Sequence, residues 1–237
     1  MFKLFKRLLI IILLILIIIS TIIILNGYKL YKTTLSVINL ENKIEQIRSE
    51  DTYVSIEDVP EYYTNAIIAV EDHRFKEHGA IDFIAIGRAI WSNIKAQELN
   101  EGGSTITQQV AKNMYFITED DFVSRKIAEI LVAIDLEKKY SKDDILELYI
   151  NTIYFGEGYY GIKEAANGYY NKEPKDLNLY EATILAGVPN APSVYAPTIN
   201  MDLAISRQGK VLRSMVEYGY LSQEEADNVS SQNIQND

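Results

Sequence analysis

From Leu8 to Leu25 the chain is a run of leucine and isoleucine broken only by Ser20 and Thr21, 18 residues without a charge. That length predicts a slightly short membrane-crossing helix, residues 8–27. Residues 28–54 turn polar with scattered Leu and Ile, the pattern of a stalk. Beyond them, apolar positions recur at helical spacing. Asp58-Val-Pro-Glu61 reads as a helix start, with Asp58 as N-cap, and Ala66, Ile67 and Val70 carry that helix to Glu71-Asp72. A second helix is predicted over 83–96, and Gly102-Gly103 breaks the pattern. Ile127, Ile130, Leu131 and Ile134 mark a helix over 125–140. Ser141 and Asp144 form a capping box for the next. Further helical segments fit 161–169, 179–187 and 204–218, with Pro189, Pro192 and Pro197 marking irregular chain between the last two. Alternation of the strand kind is scarce. The expected fold class is mainly α.

Charge gives this pattern a direction. Lys3, Lys6 and Arg7 precede the apolar run and no acid occurs before Glu41. The positive-inside rule therefore keeps residues 1–7 cytoplasmic and sends the remainder outside. A cleaved signal peptide fits less well, because its apolar region is shorter and Asn26-Gly27-Tyr28-Lys29 is a poor cleavage site. The whole chain of 237 residues has 33 acidic and 23 basic side chains, a net charge of −10. Without the three basic residues of the tail, 20 basic groups face 33 acidic ones, a net −13. Such a balance disfavours a general nucleic-acid partner. Cysteine is absent, which excludes a disulfide scaffold, a thiolate zinc site and a cysteine nucleophile. The chain divides into a cytoplasmic tail (1–7), an anchor (8–27), a stalk (28–54), one compact domain (55–222) and a polar C-terminal tail (223–237).

Three segments concentrate chemistry. Glu71, Asp72, Arg74 and His78 place acids, a guanidinium and an imidazole at the end of an apolar helix. A carboxylate buried there has a raised pKa and can exchange a proton near neutrality, whereas a solvated pair after a helix would do nothing. Glu101 to Gln109 joins two glycines to five polar side chains, which suits a hydroxyl-rich or phosphate-bearing ligand, or simply caps the next helix. On a helical wheel Arg125 and Glu129 lie about 40° apart, and Val132 and Leu136 share their side. The row Ile127, Ile130, Leu131 and Ile134 falls opposite, so the helix is apolar nearly all round and should be enclosed by others. An ion pair held inside is costly unless it is used, while the same pair on a surface is worth little. Lys112 could neutralise a diphosphate, although surface lysine is the commoner role. The aromatic pairs Tyr159-Tyr160 and Tyr169-Tyr170 read first as packing.

In order and spacing, these segments resemble the five motifs of the peptidoglycan glycosyltransferases, found in class A penicillin-binding proteins and in monofunctional transglycosylases. The matching stretches are EDHRFKEH (71–78), GGSTITQQVAKN (102–113), RKIAE (125–129), KDDILELYINTIYFG (142–156) and ATILAGVPNAPSVYAP (182–197). The resemblance covers about residues 55–220, leaves no room for a transpeptidase domain, and so points to the monofunctional type. It implies a lysozyme-like, two-lobed helical domain held by the transmembrane helix in a bacterial cell membrane, single-pass and facing outward. The implied activity is polymerisation of lipid II into β-1,4-linked glycan, with inversion at MurNAc C1 and release of polyprenyl diphosphate.

By that match Glu71 is the general base and Glu129 the second essential carboxylate. Ser104, Thr105, Gln108, Gln109, Lys112, Asn113 and Arg125 match substrate-binding positions, and Lys126 and Arg88 are weaker candidates for phosphate contact. No redox or nucleotide cofactor is implied. A divalent cation (Mg or Mn) could bridge the substrate diphosphate, without a dedicated ligand cluster in the sequence. The implied partners are lipid II, the growing strand, the membrane and other wall-synthesis proteins. The alternatives are a catalytically silent subunit that binds lipid II or scaffolds wall synthesis, and a lysozyme-like hydrolase, since paired carboxylates serve both chemistries. Two positions depart from the family pattern: Gly79-Ala80, where a glycine usually comes second, and Thr118 to Asp121, where a basic residue is sometimes found.

Overall fold

The computed structural model describes residues 2–96 and 103–232, and Glu101 and Gly102 of the polar loop lie outside them. Among the described residues the regular elements are all helices, with one isolated bridge, Tyr154 to Tyr160, in place of a sheet. Helix α1 (Phe2–Val37) is continuous from the apolar run into the expected stalk. Its segment from Phe5 onward is long and apolar enough to cross a membrane, and the side chains of that run are exposed. The fold class expected from the pattern, mainly α with an N-terminal apolar helix, is the one observed.

The stalk reading is corrected. The polar look of residues 28–54 hides two amphipathic faces. The upper part of α1 packs against α6 (Phe122–Lys139). A Cβ at Gly27 would lie 2.5 Å from Cβ of Ile127 and 3.0 Å from the Ser124 carbonyl, so only glycine permits the approach. Higher up, Tyr31 Oη donates to Asp135 Oδ2 at 2.5 Å. Helix α2 (Leu40–Arg48), capped by Asn39, then buries Leu40, Ile44 and Ile47 in the main core. The spacing i, i+4, i+7 is that of one helical face. Arg48 pairs with Asp144 at 2.9 Å across to α7 (Lys142–Thr152).

Asp58 does not cap the next helix. Ser55 caps a short 3-10 turn that ends at Asp58, and α3 (Glu61–Glu71) starts after Pro60. Tyr63, Ala66, Ile67, Ile68 and Ala69 are all buried, because α3 is enclosed by α9 (Leu179–Gly187) and α11 (Met201–Glu217). Helix α4 (Phe83–Ala96) occupies the predicted range. Helix α5 (Ile106–Tyr115) is capped by Thr105 and packs on α6 and α7. The Ser141–Asp144 capping box of α7 is present. Helix α8 (Gly161–Tyr170) follows, and a four-residue α10 (Pro192–Tyr195) lies in the proline-marked segment. The expected polar C-terminal tail holds a further helix, α12 (Gln223–Ser231). It opens with a Ser222–Glu225 capping box and packs Ala226 and Val229 against Leu212.

On α6 the wheel argument resolves in favour of enclosure. Glu129, Val132 and Leu136 are buried on the core side, while the isoleucine face, through Ile127, meets α1. The charged face of this helix is therefore its inner one.

Candidate active site

Helix α3 ends at Glu71 because Asp72 leaves helical geometry, φ −159° and ψ 74°. The last helical side chain of an enclosed helix thus emerges at the edge of the core. Glu71 Oε2 accepts from Gln109 Nε2 on α5 at 2.9 Å, and its Oε1 lies 3.6 Å from Nη2 of Arg207 on α11. Burial pushes the Glu71 pKa above the ordinary carboxylate value. The amide of Gln109 and the charge of Arg207 pull it back, and Asp72 adds to the rise. The result is a carboxylate with one hydrogen-bond donor and one nearby cation, biased by burial toward accepting a proton.

Arg207 was not singled out by the sequence. It reaches Glu71 because residue 187 is glycine: a Cβ there would meet Arg207 Cγ at 2.9 Å. Arg207 Nε donates to the Gly187 carbonyl at 3.4 Å, and its guanidinium lies 6.0 Å from the Tyr195 ring centroid. The Gly187 of the motif ATILAGVPNAP was the available signal.

Glu71, Gln109 and Arg207 line a polar cleft of about 520 Å³ with Ser104, Arg88 and His73. Ser104 connects this cleft to the second carboxylate: its Oγ accepts from Lys126 Nζ at 2.8 Å. Lys126 also contacts Glu129 Oε2 at 3.2 Å, and Arg125 Nε lies 3.3 Å from Glu129 Oε1. Arg125 is further held by the Glu119 carbonyl at 2.9 Å and lies over the Phe122 ring. Glu129 is thus a buried acid with two cations, joined to the Glu71 cleft through Ser104 and Lys126.

The other expected site residues stand differently. Thr105 and Gln108 are buried, and both donate to the carbonyl of Ala80, at 3.1 and 2.9 Å. Their polar atoms brace the loop after the first motif. Lys112 is exposed on α5. Asn113 lines a different cavity, of about 300 Å³, with Lys43, Asn151 and Tyr160. Arg88 is exposed at the cleft and contacts His73. At the first departure from the family pattern, Gly79 and Ala80 both lie outside the left-handed region, so alanine is accommodated there. At the second, Asp121 caps α6 by accepting from the backbone N–H groups of Val123 and Ser124; the Ser124 hydroxyl first, and then these N–H groups, lower its pKa.

Asp72, His78 and Asp82 bring three ligand-type atoms within 4.8 Å of one another, the one such group among the described residues. Their bonding is that of a brace. Asp72 takes the Ile106 N–H at 3.0 Å and lies 2.7 Å from His78 Nε2. Asp82 Oδ1 accepts from the N–H groups of Ile84 and Ala85, and its Oδ2 has Arg74 Nε at 3.8 Å. Asp82 Oδ2 is buried without a hydrogen-bond partner, and none of the three residues lines the Glu71 cleft.

A family model described as Transglycosylase matches residues 40–216. Penicillin-binding protein 1F of Bacillus subtilis (strain 168) is 49% identical over 173 residues, 73% of this chain and 24% of that protein. Penicillin-binding protein 1A of Neisseria lactamica is 42% identical over 205 residues, 86% of this chain and 26% of that protein. Penicillin-binding protein 1A of Aquifex aeolicus (strain VF5) is 45% identical over 173 residues. The chain spans about a quarter of the length of these relatives. The crystal structure of penicillin-binding protein 1A from Haemophilus influenzae aligns with a TM-score of 0.42 at 24% identity, over 75% of this chain and 17% of that one.

Proposed function

The chain belongs to the transglycosylase family, and from that premise we propose that it is a membrane-anchored peptidoglycan glycosyltransferase that polymerises lipid II. The observation that carries this reading is Glu71. It is a largely buried carboxylate at the wall of a polar cleft, with its pKa raised by burial and its oxygens held by Gln109 and Arg207. In the proposed reaction Glu71 takes the proton from the 4-hydroxyl of the acceptor GlcNAc. The freed oxygen bonds to C1 of the donor MurNAc from the face opposite the leaving group. The C1–oxygen bond to the diphosphate breaks, the anomeric centre inverts, and polyprenyl diphosphate departs with the electron pair. Lys126 and Arg125, held by Glu129, supply positive charge for the leaving group, and Ser104 carries that cluster to the cleft. The apolar α1 supports attachment to the bilayer where such a lipid resides, and Lys3, Lys6 and Arg7 favour a cytoplasmic N-terminus.

The test is polymerisation of lipid II by the full chain in detergent, beside Glu71→Gln. Long glycan strands from the wild type and a loss of about 10²-fold or more in the variant, with its helical content intact, are expected. Release of fragments from preformed peptidoglycan would overturn the reading in favour of a hydrolase. Binding of lipid II without turnover would do so in favour of a scaffold subunit. The same assay with and without a chelator reads whether a divalent cation bridges the diphosphate.

A further inference from the structure

Three residues of the cleft form a chain of contacts that the proposed reaction does not use. His73 follows α3 by two residues, Arg88 comes from α4, and Tyr218 ends α11; all three line the same cleft as Glu71. The imidazole of His73 lies flat on the Tyr218 ring, with centroids 4.2 Å apart and planes 6° apart. Its Nε2 is 3.0 Å from Nη1 of Arg88. A guanidinium has donors only and stays charged, so the nitrogen that faces it must be the accepting one. The ring is therefore neutral, with its hydrogen on Nδ1. Burial and the charge of Arg88 both lower the His73 pKa, which agrees with that state.

Arg88 is otherwise an exposed, rotamer-rich side chain. Fixing such a group before a ligand arrives removes part of the ordering cost of binding. We propose that His73 is a positioning residue: it holds the Arg88 guanidinium over the cleft as a preformed clamp for a diphosphate, with Tyr218 fixing the plane of the imidazole. This rests on the lipid-diphosphate reading above and adds to it a residue that sets ground-state affinity.

The clamp has a pH dependence of definite sign. Asp72, Arg74 and Asp82 surround His73 from its own loop and the start of α4, Arg88 faces it from α4, Glu217 and Tyr218 from the end of α11, and Glu71 and Arg207 across the cleft. Protonation of His73 removes the acceptor and sets a second positive charge against Arg88. The hold is present while the ring is neutral and is lost as pH falls.

The probe is inorganic pyrophosphate, measured by equilibrium dialysis on the full chain in detergent, together with steady-state kinetics on lipid II. His73→Phe keeps a flat ring for Tyr218 and removes the acceptor. His73→Phe and Arg88→Ala are each expected to weaken pyrophosphate binding about five- to tenfold. Each should raise KM with kcat within about twofold, and the double variant should be no worse than Arg88→Ala alone. His73→Gln, which restores an accepting oxygen, should recover most of the binding and also serves if the Phe variant fails to fold. The extra loss of binding in acid shown by the wild type should vanish in His73→Phe, a control that cancels titration of pyrophosphate itself. Wild-type binding by His73→Phe, or penalties that multiply in the double variant, would overturn the proposal. A wild type that shows this binding pattern but makes no glycan would instead overturn the function reading.

Discussion

Arg207→Met is the perturbation that interrogates the centre of the site. The guanidinium lies 3.6 Å from Glu71, and the two side chains are 11% and 12% exposed. At an effective dielectric of about 20, two unit charges at that separation attract by about 4–5 kcal/mol before desolvation is counted. Removing the cation leaves an acid that burial already biases toward its neutral form, with the Gln109 amide as the one remaining group that favours ionisation. A general base works only when ionised, so activity exists above its pKa and falls as pH drops through it. Losing Arg207 raises that pKa further and moves the acid limb of the rate profile to higher pH. If about half of the gross attraction survives as net effect, the loss is about 2 kcal/mol, or roughly thirtyfold in kcat/KM on the acid side. The loss should shrink as pH rises. The assay is lipid II polymerisation from pH 5 to 9 for wild type, Arg207→Met and Arg207→Lys, with the lysine variant lying between the others. A loss of the same factor at every pH would refute the reasoning and make Arg207 a ligand contact alone.

Two further predictions concern the frame around the site. Gly27→Val places a methyl-bearing carbon where Ile127 Cβ is 2.5 Å away; it should separate α1 from α6 at a cost of about 1–3 kcal/mol, read as a lower melting temperature and faster proteolysis of the 28–40 segment. Asp72→Asn should cost about 2–4 kcal/mol, because the carboxylate serves both the Ile106 N–H and His78; chemical denaturation checks it, and an unchanged midpoint would mean that the brace carries no stability.

Local signals were legible and tertiary ones were not. The Ser141 capping box and the span of α9 follow from cap residues and apolar spacing within a few positions. Asp58 misled because Pro60 suggested a helix two residues too early, whereas Ser55 takes the capping role for a separate turn. The stalk reading missed Leu40, Ile44 and Ile47, whose spacing marks one buried face in a nine-residue helix, too short to stand out among polar neighbours. The C-terminal tail hid α12 although Ser222 and Glu225 carry a capping signature. Within the site, Glu71 and Gln109 were legible through motif resemblance. Gln108 looked equivalent to Gln109, but the two are about 100° apart on α5, and that rotation sends one to the Ala80 carbonyl and the other to Glu71. Arg207 reads as an ordinary basic residue of an amphipathic helix. Its meaning depends on a glycine twenty residues earlier in sequence and adjacent in space.

The 36-residue α1 is about 54 Å long, and a hydrocarbon layer takes up about 30 Å of that. On the anchored reading proposed above, with the charged tail below and the apolar run across the bilayer, Gly27 would sit near the headgroups, where the helix is packed on α6. The anchor then behaves as a mast rather than a leash. A domain so held would spin and drift in the plane of the membrane while its height above the lipid stayed set by the helix, and the proposed chemistry would be confined to a thin shell just above the surface.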